Sequence, residues 1–273
     1  MADAGNNDGA VKAATKETAA KGIWRDGALN RLVLAGSLPL FFGLWELVSR
    51  SGVVNIILFP PPSTVLVAIV DWMQDGQLLI DFGMSVSRVV VGFVVGAVLG
   101  AVIGILTGRY RLISSLLSPI FQLLRPIPPI AFVPIVILWF GLGEIGKYFL
   151  VVWGVFFTVW IAAHLGVQRV DEKLIRAARV LGTPEKRMLR EVLLPGALPY
   201  IFVGLRTSVS ISFYTLVAAE LAGTFAGLAY RIDIAQQNLQ MGQMMGGLVM
   251  LGVISAAADK LFAIFAEKAV WWS

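Results

Sequence analysis

The sequence contains no cysteine and only one histidine, His164. The first absence excludes disulfides, thiolate metal sites and cysteine nucleophiles, and the second excludes a histidine-rich metal site. Charged side chains are also scarce: they make up 14% of the 273 residues, whereas soluble domains carry roughly 25%. No Ser-His-Asp arrangement, metal cluster or close pair of catalytic carboxylates can be assembled from the residues that remain. The sequence therefore favours a membrane protein without an active site of its own.

Apolar residues fill the sequence instead. They make up 58% of it, and the mean hydropathy is +0.81. Six apolar runs approach the roughly 20 residues that a helix needs to cross a bilayer, which predicts an all-α membrane protein with six transmembrane helices. The runs cover residues 32–48, 84–106, 113–140, 145–165, 197–221 and 242–265. The third run is too long for one straight helix, and because it contains Pro126, Pro128 and Pro129 it should break or kink there.

The placement of the cations predicts the orientation in the membrane. A net charge of +5 would suit nucleic acid, but the cations flank the apolar runs, so no nucleic-acid partner is expected. Cytoplasmic loops carry an excess of Lys and Arg. With the N-terminus inside, fifteen of the 22 Lys and Arg fall on the cytoplasmic side, three outside and four within the runs. Both termini and the loop at 169–195 are therefore predicted to be cytoplasmic.

Residues 1–30 are polar and of mixed charge, which predicts a disordered cytoplasmic tail. The first apolar run begins only near residue 32 and is not followed by a small-residue cleavage site, so a signal peptide is not indicated. The remaining residues, 31–273, form one predicted transmembrane domain.

The loop at 169–195 is the longest charged segment of the chain. Its pattern predicts two short helices with a hinge at Gly182, since glycine readily adopts the positive φ that ends a helix. The second helix is predicted to begin with Thr183 as N-cap and to end at Leu194, because the residue before Pro195 leaves the helical region. A charged helical hairpin between two apolar runs must lie in water against another surface.

This loop resembles the coupling loop of the permease subunits of bacterial ABC importers. The pattern of that family is Glu-Ala-Ala, three residues, Gly, nine residues and Ile-x-Leu-Pro. The chain matches it at Ala177, Ala178, Gly182, Leu194 and Pro195. Arg176 replaces the Glu and Val192 replaces the Ile. Because Arg176 reverses a charge on the docking face, the contact of the family's Glu is not carried over to it.

Three further segments, at 124–129, 139–143 and 216–221, resemble the nitrate, taurine and alkanesulfonate branch of these permeases. The resemblance implies a six-helix type I permease fold with cytoplasmic coupling helices in a bacterial inner membrane. It also implies a non-catalytic subunit that pairs with a second copy, two ATP-binding subunits and a periplasmic or lipid-anchored solute-binding protein. The implied substrate is a small anion such as nitrate, a sulfonate or taurine, and the branch also includes bicarbonate permeases.

No cofactor site is expected in this chain, and ATP and Mg²⁺ are expected on the partner subunits. The segment at 141–148 nearly matches a nucleotide-binding P-loop, but Tyr148 replaces the Mg²⁺-binding hydroxyl and no strand precedes it. It is therefore interpreted as a tight turn between two spans.

Two groups of candidate site residues follow. The resemblance places contacts with the ATPase subunit at Arg176, Ala177, Ala178, Leu181, Gly182, Thr183 and Arg187. Ser208, Ser212 and Thr215 fall on one face of the fifth run, where they serve either a translocation pathway or hydrogen bonds between helices. Arg125 adjoins the proline-rich break, where it either assists the passage of an anion or neutralises freed backbone carbonyls.

Two smaller features complete the sequence predictions. Glycine recurs at every fourth position from Gly92 to Gly108, which predicts close helix packing, either within the chain or across a dimer. Glu220 ends the fifth run and is expected at the outer surface.

Two other function classes compete with the ATP-driven importer. A secondary transporter would favour inverted repeats and intramembrane carboxylates, and neither is evident. A membrane enzyme would need the missing catalytic constellation, and a membrane scaffold would have no ATPase partner. The cytoplasmic hairpin at 169–195 favours the importer, because only that class needs a lever for an external motor.

Overall fold

The computed structural model of the protein describes residues 27–269, and their side chains from residue 36 onwards. The predicted tail at 1–30 therefore lies mostly outside the described residues. The helices are α1 (Gly27–Arg50), α2 (Pro62–Gln74), α3 (Gln77–Arg109), α4 (Arg111–Leu124), α5 (Val133–Phe140), α6 (Glu144–Gln168), α7 (Glu172–Val180), α8 (Glu185–Arg187), α9 (Leu194–Leu221), α10 (Leu228–Gln237) and α11 (Met241–Ala269). A 3₁₀ turn (Pro129–Phe132) precedes α5, and a π-helical turn (Met188–Leu193) joins α8 to α9.

The all-α membrane fold is confirmed, whereas the count of six spans is not. Among the described residues, four helical segments are long and apolar enough to cross a membrane: α3, α6, α11 and the continuous segment Glu185–Leu221. A fifth span is possible if α4 and the segment Pro129–Phe140 count as one broken helix, since they meet at 87°. The predicted break in the third apolar run is thus confirmed at its prolines.

The chain divides into two compact units at residue 64. In the first unit, the end of α1 is tied to the proline-rich turn that follows it. The Glu46 carboxylate accepts hydrogen bonds from Arg50 Nε at 2.6 Å and from the Ser63 backbone N–H at 3.1 Å. Trp45 Nε1 donates to the carbonyl oxygen of Pro60 at 3.1 Å.

In the second unit, the glycine ladder packs within the chain. The five glycines of the ladder, Gly92 to Gly108, face α6, and a Cβ atom added to any of them would lie within 3.0 Å of an α6 atom. At Gly104, for example, it would lie 2.6 Å from both Ala163 Cβ and the Trp160 carbonyl oxygen. Small residues at this spacing let two helix backbones approach closely in lipid. The close pairing of α3 with α6 forms the centre of this unit.

The helix after Gly182 does not end at Leu194, so that prediction was wrong. The chain stays helical from Glu185 to Leu221, and Pro195 lies in the first turn of α9, where a missing N–H is tolerated. In the π-helical turn before it, backbone hydrogen bonds span five residues instead of four, which shifts the register of the bonds that follow. The cap prediction was off by one residue, because Pro184 and not Thr183 occupies the N-cap position of α8.

Candidate functional site

The hinge of the loop at 169–195 has the geometry that the sequence predicts. Helix α7 begins at the N-cap Asp171, whose carboxylate accepts from the Lys173 backbone N–H at 2.9 Å. Gly182 has a φ of +71°. The N–H of Gly182 donates to Arg179 O at 2.9 Å and that of Thr183 to Ala178 O at 3.0 Å, which is the Schellman closure. The backbone N–H of Thr183 thus helps to end α7.

One face of α7 is seated on the protein's own helices. Ala178 is buried and belongs to a hydrophobic cluster that lies between the loop and the ends of α6 and α9. The other buried members of the cluster are Ala163, Val167, Val170, Met188, Leu193, Ala197 and Ile201. This packing fixes the position of α7 and leaves its opposite face free.

Apolar side chains of the loop outside this seat are exposed. Val180 and Leu181 are 87% and 83% exposed, and Leu174 is also exposed. Exposed apolar patches of this kind mark interaction surfaces. Arg176 borders the patch and pairs with Glu172 at 2.7 Å. Because both side chains of that pair are largely exposed, it contributes little stability, and the Arg176 guanidinium can turn toward a partner at little cost.

The sequence analysis missed an ion pair that braces this loop. Arg109, at the end of α3, donates from Nε and Nη2 to the two carboxylate oxygens of Glu185, each at 2.7 Å. The two residues are 76 positions apart, so no local pattern could pair them. The bidentate geometry ties the first turn of α8 to the C-terminal end of α3.

The predicted pathway residues separate into two pairs. Arg125 and Thr215 line one cavity of about 260 Å³. Ser208 and Ser212 do not line it: both are fully buried, and their hydroxyls donate to Leu205 O at 2.8 Å and Val209 O at 2.6 Å. The other lining residues are Pro126, Ile127, Pro128, Pro129, Trp153, Gly154, Phe157, Thr158, Ile211 and Tyr214.

A buried ion network lies where α3, the start of α6 and the end of α9 meet. Arg88 is 0% exposed. It donates twice to the Glu144 carboxylate, at 2.7 Å each, and once to Glu220 Oε1 at 2.9 Å. Lys147 donates to Glu144 at 3.0 Å and to the Leu142 carbonyl oxygen at 3.1 Å. Two cations thus face two carboxylates, as buried charges require.

The expectation that Glu220 lies at the outer surface was therefore wrong. Its side chain is 1% exposed, because the network supplies enough donors to satisfy a buried carboxylate. Ser85 Oγ donates to Oε1 at 2.6 Å, and the Ala229 backbone N–H donates to Oε2 at 2.7 Å. Lys147 is buried in the same network.

The network also fixes the segment between α9 and α10. Arg88 donates to Thr224 Oγ1 at 2.9 Å and to Ala226 O at 2.7 Å. Asp81 accepts from the backbone N–H of Gly227 at 2.8 Å. Gly227 has a φ of +139°, and a Cβ atom there would lie 2.4 Å from Glu220 Cδ, so only glycine fits at this position. One sequence feature could have revealed the network: an arginine inside the second apolar run requires a partner.

Comparisons with known proteins agree with this architecture. The family model described as "Binding-protein-dependent transport system inner membrane component" matches residues 92–268. A Bacillus subtilis (strain 168) protein named as an aliphatic sulfonates transport permease is 34% identical over 249 residues, covering 91% of this chain and 88% of the relative. The taurine transport system permease protein of Escherichia coli (strain K12) is 32% identical over 238 residues, covering 85% and 86%.

Among solved structures, the inward-facing methionine ABC transporter MetNI is similar, with a TM-score of 0.56 and 20% identity. The match covers 74% of this chain and 97% of that chain. At this identity the likeness concerns the fold alone.

Proposed function

The chain belongs to the family of inner membrane components of binding-protein-dependent transport systems, and we propose that it passes a small oxyanion across the bacterial inner membrane. It is the membrane-spanning permease subunit of an ATP-driven ABC importer. It works with ATP-binding and solute-binding subunits and does not itself hydrolyse ATP. The substrate class is the proposed part of this assignment, and two observations support it.

The first observation is the chemistry shared by two relatives. Their names assign them to aliphatic sulfonates and to taurine, and each of these solutes carries a sulfonate group. The second is the charge of the cavity in the membrane domain. Arg125 is the one charged residue among those that line it, which favours an anion over a cation. Nitrate remains within the same class of small oxyanions.

Coupling to the ATPase subunit is proposed to occur through the exposed face of α7. The observation that carries this proposal is a contrast in burial: Ala178 is buried against the permease, while Val180 and Leu181 at the end of α7 are almost fully exposed. A partner groove would cover this apolar patch, and Ala177 would permit close approach. Gly182, Thr183 and Arg187 follow on the same exposed loop. We expect Arg176 to face an acidic or carbonyl-rich patch of the partner.

The assembly is proposed to contain two copies of this chain, two ATP-binding subunits and a periplasmic or lipid-anchored solute-binding protein. Both termini are proposed to be cytoplasmic, because the loop at 169–195 must reach the ATPase and the cations favour that side. ATP and Mg²⁺ would be held by the partner subunits. A secondary transporter is less well supported, because the buried carboxylates Asp81 and Glu220 have fixed hydrogen-bond partners and do not line the cavity.

The test is ATP-driven uptake by the reconstituted complex of permease, ATPase and solute-binding protein. Gly182→Val should weaken binding of the ATPase subunit and abolish uptake of ethanesulfonate or taurine, since a β-branched residue resists positive φ. Gly76→Val is the matched control, because Gly76 has the same φ of +71° and an equally open surrounding but lies in the turn before α3. Arg176→Glu should impair uptake more than Arg176→Gln.

Normal co-purification of the ATPase with the Gly182→Val permease, together with normal uptake, would contradict the proposed coupling surface. Equal loss in the Gly76→Val control would show that backbone strain alone, and not the docking loop, causes the defect.

A further inference from the structure

The cavity beside the proline-rich break lies at the depth where transporters hold their substrates. Its α6 residues, from Trp153 to Thr158, occupy the middle of the 25-residue helix Glu144–Gln168. With a rise of about 1.5 Å per residue, they lie roughly 15 Å from either end of α6, close to the midplane of a bilayer core about 30 Å thick.

The backbone that lines this cavity is discontinuous. Helix α4 and the segment Pro129–Phe140 meet at 87°, and Pro126, Pro128 and Pro129 lie at the bend. Non-helical backbone at membrane depth is tolerated only where it is buried in protein or lines a wet cavity. Broken helices near the midplane are also where transporters build substrate sites.

Arg125 is the charged residue among those described as lining this cavity, and its side chain is exposed. Its guanidinium makes no hydrogen bond or ion pair with any other described residue, and no acidic residue lines the cavity. The arginines of the neighbouring spans differ in this respect. Arg88 binds Glu144 and Glu220, and Arg206 pairs with Asp259 at 3.2 Å. An arginine at membrane depth normally marks a functional site, and the missing counter-ion of Arg125 is an anion.

A second donor in the cavity wall also lacks an acceptor. Trp153 Nε1 is buried and has no hydrogen-bond partner among the described residues, and an indole N–H can only donate. The ring packs against Phe132 and Phe157, with centroids 4.3 and 5.0 Å apart. The hydroxyls of Thr158 and Thr215 already donate to backbone carbonyls, each at 3.1 Å. The side-chain donors left without an acceptor are therefore those of Arg125 and Trp153, and both suit oxygen acceptors.

The rest of the lining selects for an apolar portion of the ligand. Ile127, Phe157, Ile211 and the proline rings offer hydrocarbon surface and no carboxylate that could pair with an ammonium group. The volume of about 260 Å³ lies below the roughly 300–1,000 Å³ of pockets for drug-sized ligands. The site thus fits a small oxyanion with a short hydrocarbon tail better than a bare inorganic ion or a zwitterion.

We propose that the permease itself carries a substrate-binding site at this bend, in which Arg125 holds the sulfonate head of an alkyl sulfonate and the apolar wall holds its tail. This inference rests on the proposed import of an oxyanion. It adds selectivity within the membrane subunit to the selection made by the solute-binding protein.

Binding is tested by calorimetry on the full-length permease with its ATPase subunits in lipid nanodiscs, without the solute-binding protein. Ethanesulfonate should bind saturably and more tightly than nitrate, bicarbonate or taurine. Arg125→Gln should weaken this binding about ten- to a hundredfold, the effect expected for a lost charge-assisted hydrogen bond. Trp153→Phe, which keeps an aromatic ring and removes the N–H, should weaken it less. Arg206→Gln, outside the cavity, is the matched control and should leave it unchanged.

The proposal is overturned if the unaltered complex shows no saturable binding of ethanesulfonate, if nitrate binds as tightly, or if Arg125→Gln binds like the parent. ATP-driven uptake measured on the same preparation separates this failure from failure of the proposed function. Normal uptake without binding to the permease rejects the site and leaves the importer assignment standing. If the complex with the solute-binding protein takes up no oxyanion when ATP is supplied, the proposed function is rejected instead.

Discussion

Replacing Glu220 by glutamine should show how much the buried ion network stabilises the fold. Glu220 Oε1 accepts from Ser85 and Arg88, and Oε2 accepts from the Ala229 backbone N–H. Glutamine has nearly the same shape but only one acceptor oxygen. Whichever way the amide is turned, its NH₂ group faces a donor, either the Ala229 N–H or the Arg88 guanidinium. The substitution also leaves the two cations of the network with a single carboxylate.

The expected cost follows from the burial of the pair. Arg88 and Glu220 are 0% and 1% exposed, and removing one partner of a buried ion pair costs about 3–5 kcal/mol. Glu144 still binds Arg88 through two hydrogen bonds, so the lower value of about 3 kcal/mol is expected. For a chain of about this size, 1 kcal/mol shifts the melting midpoint by roughly 2–4 °C, which predicts a decrease of roughly 6–12 °C.

The assay is thermal unfolding of the purified full-length permease, with Glu172→Gln as the control. Glu172 pairs with Arg176 at the surface, so its substitution should cost at most about 1 kcal/mol. The double variant Arg88→Met with Glu220→Gln removes one charge of each sign and leaves Lys147 facing Glu144. It should be more stable than Arg88→Met alone, which buries an unpaired carboxylate.

Two results would refute this reasoning. One is a melting midpoint of Glu220→Gln indistinguishable from that of the Glu172→Gln control. The other is strict additivity of the two single substitutions in the double variant, because residues in one network are expected to be coupled.

Two further predictions concern packing and orientation. Gly104→Val should lower the melting midpoint and disrupt assembly, since its Cβ would lie 2.6 Å from atoms of α6. The control Gly83→Val should be tolerated, because no atom lies within 4 Å of a Cβ at that position. Equal effects of the two substitutions would contradict the packing role of the ladder. Because the chain lacks cysteine, Ala14→Cys or Ser273→Cys provides a unique label, which should react with impermeant reagents only from the cytoplasmic side. Labelling of either from outside would overturn the proposed orientation.

The sequence predicted the features that depend on local pattern. Gly182 adopts positive φ because the turn after α7 requires it. The glycines at every fourth position from Gly92 to Gly108 form one packing face, because the period of the helix brings them to the same side. The break at Pro126 follows from the chemistry of a single residue type. Each of these properties is settled within one or two helical turns, so neighbouring residues carry enough information.

The sequence could not predict features that depend on distant partners. Arg88 meets Glu144 and Glu220 across 56 and 132 positions, and Glu220 was placed at the surface because its partners were unknown. The helix end predicted at Leu194 failed for a different reason. Pro195 follows a π-helical turn and lies in the first turn of α9, not beyond the end of a helix. The periodicity of the sequence does not distinguish these two positions.

One continuous helical segment connects the features described above. Glu185–Leu221 contains 37 residues, which corresponds to about 55 Å at 1.5 Å per residue. It begins at the ion pair with Arg109, passes the cavity at Ile211 and Thr215, and ends beside Glu220 in the buried network. The hydrogen-bond ladder of this segment is irregular at the π-helical turn Met188–Leu193 and at Pro199, which are the places where such a helix bends. Beyond that turn, the cavity wall and the buried network share one helical segment.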